Sequence, residues 1–322
     1  MRAIVQDRYG PPETLRLAEV DRPRPEARQV CVEVQAASLN MYDWHMMSGY
    51  PLMARLQAGV RTPGHPIPGA DVAGTVADIG EEVTGLRPGD EVFGLVDHGA
   101  LAEYVCGSEE SFAPLPEGVD LQAAAATPMA ALTALQGLRD VGGLQAGQRV
   151  LVNGASGGVG TFAVQIAKEL GAEVTAVCST AKVEMVSRLG ADRVFDYTRH
   201  DFSVTERDYD LLFDNVGDRP WSQTRRVLAG NGVNVTITGP KHRVAGPLRN
   251  LLFRKAASLF DSRRFAWFTS SVRRQDLEDL AAMLVSGGVR PVLEEIYPLE
   301  KAAEAMRRLG EGHAAGKLVI TV

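Results

Sequence analysis

The chain has 322 residues, enough for two domains with substantial cores, and it is 45% hydrophobic and 23% charged, as an ordinary globular protein is. A formal net charge of −6 and scattered Lys and Arg leave no basic field for nucleic acid. No long uninterrupted apolar segment occurs and the N-terminus opens on the strand-like Arg2-Ala3-Ile4-Val5, so a cytoplasmic protein that neither crosses a membrane nor is secreted is expected.

Residues up to about Leu115 are rich in Val, Gly and Pro, with short alternating runs such as Val30-Cys31-Val32-Glu33-Val34 and turn signals such as Arg87-Pro88-Gly89-Asp90. This part reads as β-rich. The three cysteines, Cys31, Cys106 and Cys178, lie in apolar strand-like runs and read as reduced, buried thiols rather than disulfides or a zinc cluster. From Leu121 onward helices and strands alternate, which predicts a parallel α/β domain.

The run Val150-Leu151-Val152-Asn153-Gly154-Ala155-Ser156-Gly157-Gly158-Val159-Gly160 reads as a buried strand turning through a glycine-rich loop into a helix. Gly154 allows the tight turn, Gly157 lets backbone approach a pyrophosphate, and Gly160 lets helix and strand pack closely. Phe162, Ala163, Ile166, Ala167 and Leu170 follow at helical spacing, Gly171 ends the helix, and Glu173–Cys178 forms the next strand. Such a βαβ unit offers free amides and a helix dipole to a dinucleotide. At the end of the second strand an NAD enzyme places an acid, but here stands Cys178-Ser179-Thr180-Ala181-Lys182. Two hydroxyls and an ammonium suit a 2′-phosphate, so NADPH is the expected cofactor.

Further strands are predicted at Arg193–Tyr197, Asp210–Asn215 and Val233–Thr238, then a helix over Gln275–Val285 that leads to Arg290–Tyr297. A helix at Lys301–Leu309 and a final strand at Leu318–Val322 close the chain. Residues 241–264 are basic, apolar and irregular, readable as a lid or as an interface helix. The last pieces are expected to rejoin the β-rich part. The division is therefore 1–120 with 289–322 as one domain, and 121–288 as the nucleotide domain.

Several motifs in order resemble the medium-chain dehydrogenase/reductase superfamily, in its zinc-independent quinone oxidoreductase branch. They are Asn40-Met41-Tyr42-Asp43, Pro68–Gly74, Leu86–Val92, Ala102–Val105, Ala131–Ala134, the nucleotide loop and Gly316–Val319. The resemblance implies a GroES-like β-rich catalytic domain joined to a doubly wound Rossmann domain, with an active site in the cleft between them, and a homodimer. Zinc members of the superfamily use a Cys, a His-Glu pair and a later Cys or Asp. Here Asn40 and Ala70-Asp71 take the first places, too few donors for a catalytic zinc. His45, His65 and His98 lack a ligand spacing, so no metal site is expected. Without a Lewis acid, hydride addition to an already polarised acceptor is the accessible chemistry.

By residue match the resemblance implies that Gly154, Ser156, Gly157, Gly158 and Val159 hold the pyrophosphate, and Ser179, Lys182 and Tyr197 the adenosine phosphate. Asn215, Val216, Thr238 and Gly239 end successive strands and would flank the nicotinamide, with Asn40 and Thr133 facing it and Lys317 reaching the same cleft. His45 stands about where relatives have a tyrosine, with Tyr42 and Tyr50 close by; one of the three would donate a hydrogen bond to the acceptor oxygen. Met46, Met47 and Met53 line an adaptable apolar pocket or fill core. The implied reaction is hydride transfer from NADPH to a quinone or an α,β-unsaturated carbonyl. A tailoring reductase for one biosynthetic intermediate, and a non-catalytic NADPH-binding protein, are the alternatives.

Overall fold

Alternating apolar strands joined by glycine turns build the first of two compact units, seen in a computed structural model that describes residues 1–237, 254–256, 258 and 261–322. Its strands are β1 (Arg2–Val5), β2 (Arg16–Glu19), β3 (Gln29–Leu39), β4 (Asp71–Ile79), β5 (Glu91–Leu95), β6 (Tyr104–Ser108) and β7 (Phe112–Pro114). The second unit holds β8 (Arg149–Asn153), β9 (Glu173–Cys178), β10 (Arg193–Asp196), β11 (Tyr209–Asp214), β12 (Leu228–Thr236) and β13 (Arg264–Trp267). The chain then returns to the first unit for β14 (Leu293–Pro298) and β15 (Lys317–Thr321).

In the first unit the sheet order is β14-β15-β3-β4-β5-β7, with β6 also on β3. β3 is its spine, pairing antiparallel with β4, β6 and β15. Val30, Val32 and Val34 of β3 pack with Val72, Val76, Val92 and Phe112 in one core. The C-terminal helix Ala302–Gly310 lays Ala302, Ala305 and Met306 on that core at helical spacing.

The second unit is an all-parallel sheet in the order β10-β9-β8-β11-β12-β13. Counted from β8 this is 3-2-1-4-5-6, the doubly wound nucleotide-binding order, and the order reverses between β8 and β11. The expected α/β architecture is therefore present, and Glu173–Cys178 is a strand over that same range. Among the described residues no helix is long and apolar enough to cross a membrane.

One expectation needs correction. The units divide at Leu132/Thr133, and Ser271–Gly287 and Pro291–Val322 belong with the first unit. The expected breaks at 120/121 and 288/289 miss this because helix Leu121–Ala125 packs on β3, β4 and β5, and helix Arg274–Ser286 packs on β7. β13 was not foreseen: its four residues follow a basic stretch and become a strand through pairing with β12. The ambiguous stretch 241–264 lies largely outside the described residues, as do Thr238 and Gly239.

Glycine is needed where helix Gly158–Glu169 passes close over the loop that precedes it. A Cβ on Gly160 would stand 2.1 Å from the Gly154 carbonyl oxygen, whereas on Gly157 the nearest atom would be 3.7 Å away. Gly160→Ala is therefore expected to lower unfolding free energy by about 1–3 kcal/mol, and Gly157→Ala to leave it nearly unchanged. Equal urea midpoints for the two variants would show that the loop has slack at Gly160.

Candidate active site

The second unit carries the nucleotide half of the candidate site. Gly154, at φ +78°, turns the chain out of β8, and Gly157 is the N-cap of helix Gly158–Glu169. The amides of Gly158, Val159 and Gly160 open that helix and have no carbonyl one turn back to bond. Ser156, Gly157, Gly158 and Val159 are only half-buried, and the space in front of Gly157 is open. A bare, positive helix end facing a space that a Cβ would fill is the donor set a pyrophosphate needs, so the residues present fit a dinucleotide.

The neighbouring loop is pinned by a residue that sequence reasoning missed. Asp214, 1% exposed, ends β11, and its Oδ1 accepts from Asn153 Nδ2 (2.9 Å), Val216 N (3.2 Å) and Gly217 N (3.0 Å). Arg254 Nη2 lies 3.6 Å from its other oxygen. The Asn215 amide donates to the Asn153 carbonyl (3.1 Å), so the loops after β8 and β11 sit side by side at the switch point. A Cβ on Gly154 would meet Val216 Cγ2 at 3.0 Å, which is why that turn needs glycine twice over. Val216 is 42% exposed there. Thr133 Oγ1 lies 2.9 Å from Ser270 Oγ within this same unit.

Around the adenosine end, Ser179 caps the short turn Thr180–Lys182, and Tyr197, exposed, donates its amide to the Cys178 carbonyl (3.1 Å). The structure therefore brings Ser179, Lys182 and Tyr197 to one strand edge. It also brings a carboxylate there, contrary to the reading that the acid is missing. Asp196, at the end of β10, accepts from Thr180 Oγ1 (2.6 Å) and from the Thr198 amide (2.9 Å) and hydroxyl (2.7 Å), with Arg199 at 3.5 Å. The Thr180 bond above all, with the other partners, holds Asp196 below the usual carboxylate range. It lay hidden in the sequence because it comes from the following strand.

The first unit holds a buried polar cluster made by strand register. Ser38 on β3 pairs with Asp71 on β4, and Leu39 pairs with Leu318, so Asn40 and Lys317 meet beside Asp71. Asp71, 0% exposed, accepts from Ser38 Oγ (2.7 Å), Asn40 Nδ2 (2.9 Å), Lys317 Nζ (3.1 Å) and the Met129 amide (2.8 Å). Lys317 Nζ also donates to Asn40 Oδ1. Lys317 is 2% exposed and is taken up by this cluster, not the surface lysine that its place near the C-terminus suggests.

Of these residues, Asn40 and Asp71, with Ala70, stand where the resemblance places the ligands of zinc members. Here a single carboxylate is left, its oxygens already hydrogen-bonded and an ammonium paired with it. That donor set does not fit a catalytic zinc. His65 and His98 stack with ring centroids 3.6 Å apart, and burial together with His65 lowers the pKa of His98. Among the described residues no group of three potential metal ligands occurs.

Helix Met41–Ser48 starts from Asn40, whose amide donates to Asp43 Oδ2 (2.7 Å). The Asn-x-x-Asp spacing of a capping box was the readable signal for Asp43, and it went unused. Burial, ahead of repulsion from Asp71, pushes the Asp43 carboxyl up to about 7. On the same helix Tyr42 donates its hydroxyl to the Asp97 carbonyl (3.2 Å), and burial raises its pKa. His45 Nδ1 lies 2.6 Å from the Tyr50 carbonyl. A carbonyl only accepts, so Nδ1 carries the proton and Nε2 is left as an acceptor. Burial lowers the His45 pKa, which favours that neutral ring. Tyr50 is 45% exposed. Of the methionines, Met47 is fully buried core and Met53 is 48% exposed.

Two outcomes follow for this cluster. Lys317→Met strands a buried carboxylate and is expected to cost about 3–5 kcal/mol, recovered in large part by adding Asp71→Asn. Urea unfolding of both variants checks this; a silent Lys317→Met would mean that the ion pair contributes nothing. Because the folded pKa of Asp43 lies above its unfolded value, its contribution to stability is present in acid and lost as pH rises from about 4 to about 7. Asp43→Asn, which still offers an oxygen to the Asn40 amide, should therefore gain stability relative to wild type across that window. Parallel pH curves would remove the assignment.

Comparison with known proteins agrees with both halves. Residues 26–117 match the alcohol dehydrogenase GroES-like domain, and residues 189–320 match the zinc-binding dehydrogenase family. The human mitochondrial NAD(P)H oxidoreductase RTN4IP1 is 36% identical over 100% of this chain and 89% of its own length. The 2-methylene-furan-3-one reductase of Solanum lycopersicum is 33% identical over 99% of this chain and 79% of its own. The solved quinone oxidoreductase of Coxiella burnetii superposes with a TM-score of 0.89 at 29% identity, covering 100% of this chain and 99% of that one. With its GroES-like and doubly wound sheets, its glycine cradle, and Asn40 and Ala70-Asp71 at the metal positions, the chain belongs to the medium-chain dehydrogenase/reductase superfamily, in its zinc-independent quinone oxidoreductase branch.

Proposed function

We propose that this oxidoreductase moves a hydride from NADPH to a quinone or an α,β-unsaturated carbonyl without a metal. The observation that carries the reading is Asp71, the lone carboxylate left at the ligand positions that Asn40 and Ala70-Asp71 occupy, with its oxygens taken up by Ser38, Asn40, Lys317 and the Met129 amide. An alcohol needs a Lewis acid to become an alkoxide, whereas a quinone or enone already delocalises the incoming charge onto oxygen. The names of the Coxiella and Solanum relatives, a quinone oxidoreductase and a furanone reductase, support the same acceptor class.

When bound, a reduced nicotinamide supplies the hydride. The Gly158–Gly160 amides hold the pyrophosphate, and Asn215 and Val216 at the strand end orient the ring. Asn40, Thr133 and Lys317 remain part of the proposed cofactor set, Lys317 by holding Asn40. Ser179, Lys182 and Tyr197 bind the 2′-phosphate, with Asp196 turned onto Thr180 and Thr198 and so withheld from it. For the acceptor oxygen, neutral His45 offers no proton at Nε2 and Tyr42 is engaged with Asp97. The exposed Tyr50 hydroxyl is thus the donor of the three, with His45 fixing the Tyr50 backbone. We also propose the homodimer that family analogy implies; a monomer by light scattering would remove it.

The primary test is NADPH and NADH oxidation with a simple quinone and a simple enone, with and without a metal chelator. Chelator-insensitive turnover preferring NADPH is expected. Lys182→Ala should raise KM for NADPH about tenfold and leave NADH unchanged, as loss of one phosphate contact predicts. Nucleotide binding without turnover on either acceptor would favour the tailoring reductase or the non-catalytic reading. Tyr50→Phe is expected to lower kcat by about 100-fold or more, and His45→Phe to change KM more than kcat. The reverse pattern would make His45 the donor.

A further inference from the structure

Cys31 and Cys106 are far apart in the chain, yet register places them face to face. β3 and β6 run antiparallel with Cys31 directly opposite Cys106. Residues so opposed point to the same side of a sheet, with Cα atoms about 4.5–5.5 Å apart. Disulfides span Cα separations of about 4.4–6.8 Å, so the ladder already holds these two residues at bonding range. Both thiols are free, Cys31 fully buried and Cys106 half-buried, so Cys106 is the more accessible residue of the pair. Cys31 Sγ also lies 3.8 Å from the Pro23 carbonyl oxygen.

The charges around the pair favour one thiolate. The remaining S–H hydrogen-bonds to the other sulfur, and Arg22, which stacks 3.8 Å above the Tyr104 ring, adds positive charge. Asp78, opposite Cys31 on β4, acts in the other sense and is the weaker influence. One proton therefore leaves the pair more readily than from an isolated thiol, and the second is held. Cys178 differs: it is buried at the end of β9, and burial pushes its pKa up to about 11.

We propose that Cys31 and Cys106 are a two-electron redox site that peroxides convert to an intramolecular cross-strand disulfide. The thiolate attacks one oxygen of hydrogen peroxide, the O–O bond breaks, and the departing hydroxide takes a proton to become water. The sulfenic acid so formed is attacked by the second sulfur, the S–S bond forms, and its hydroxyl leaves with the second thiol proton as another water. Two thiols and one peroxide become one disulfide and two waters; the sulfurs lose two electrons and the peroxide gains them.

The test uses the full chain, reduced and freed of reductant, exposed to hydrogen peroxide at about pH 8 and then denatured for thiol counting and peptide mass mapping. The expected result is a fall from three thiols to one, a Cys31–Cys106 linked peptide lighter by two hydrogens, no cross-linked dimer, and full return with dithiothreitol. Cys178→Ser should fall from two thiols to none at the same rate. Cys31→Ser should instead give a sulfenic acid on the half-buried Cys106 that dimedone traps. Loss of all three thiols at one rate, linkage through Cys178 or between chains, or survival of both Cys31 and Cys106 would each overturn the proposal. The wild-type and Cys178→Ser measurements leave the pair intact, so they decide the matter even where Cys31→Ser does not fold.

Discussion

The carboxylate of Asp71 has no water to solvate it, so β3, β4, β15 and the helix bearing Met129 must converge to give it four donors. Burying such a charge is tolerable only with this degree of satisfaction and an opposite charge in contact. The requirement locks the register of three strands at once, because a slip of one residue would turn Ser38 or Lys317 to the opposite face. It also fixes Asn40, and through the Asn40 amide the start of the helix that carries Tyr42, Asp43 and His45. The geometry of the proposed acceptor-handling residues is inherited from this one ion pair.

The Lys317 ammonium is no Lewis acid, but it meets the electrostatic demand of the buried Asp71 carboxylate. It neutralises the buried carboxylate without offering an open coordination position. The donor set left at Asn40 and Ala70-Asp71 does not fit a catalytic zinc. What remains suits acceptors that stabilise their own charge, and that restricts the reaction more tightly than the shape of the sheet does.

The second unit solves a different problem. Its strands are parallel, so their carboxyl ends lie along one edge, and the reversal of order between β8 and β11 opens a crevice there. Asp214 accepts from two backbone amides and from the Asn153 side chain, which ties the loop after β11 to the end of β8 beside that crevice. Gly154 and Gly160 are needed for steric reasons within the protein, while Gly157 is free of such contacts and leaves room for a ligand. The glycine motif therefore mixes structural and functional positions that look alike on paper.

Local pattern by itself determined the nucleotide half. A buried strand, a glycine loop and an amphipathic helix are adjacent in sequence, so their geometry is written in short-range spacing and in the steric freedom of glycine. The β-rich character of the first part and the parallel alternation of the second were legible in the same way, whereas the replacement of zinc ligands at Asn40 and Ala70 was implied by the family resemblance. Tertiary structure alone decided the rest, because it depends on pairing between distant strands. It brought Lys317 to Asp71, Asp196 to Thr180 and Cys31 to Cys106, and it assigned the helix Arg274–Ser286 to the first unit. Hydrogen-bond direction was equally illegible: only the Tyr50 carbonyl beside His45 reveals which ring nitrogen holds the proton. Residue type limits what a side chain can do, but burial and partners from remote segments set its charge and the atom it presents.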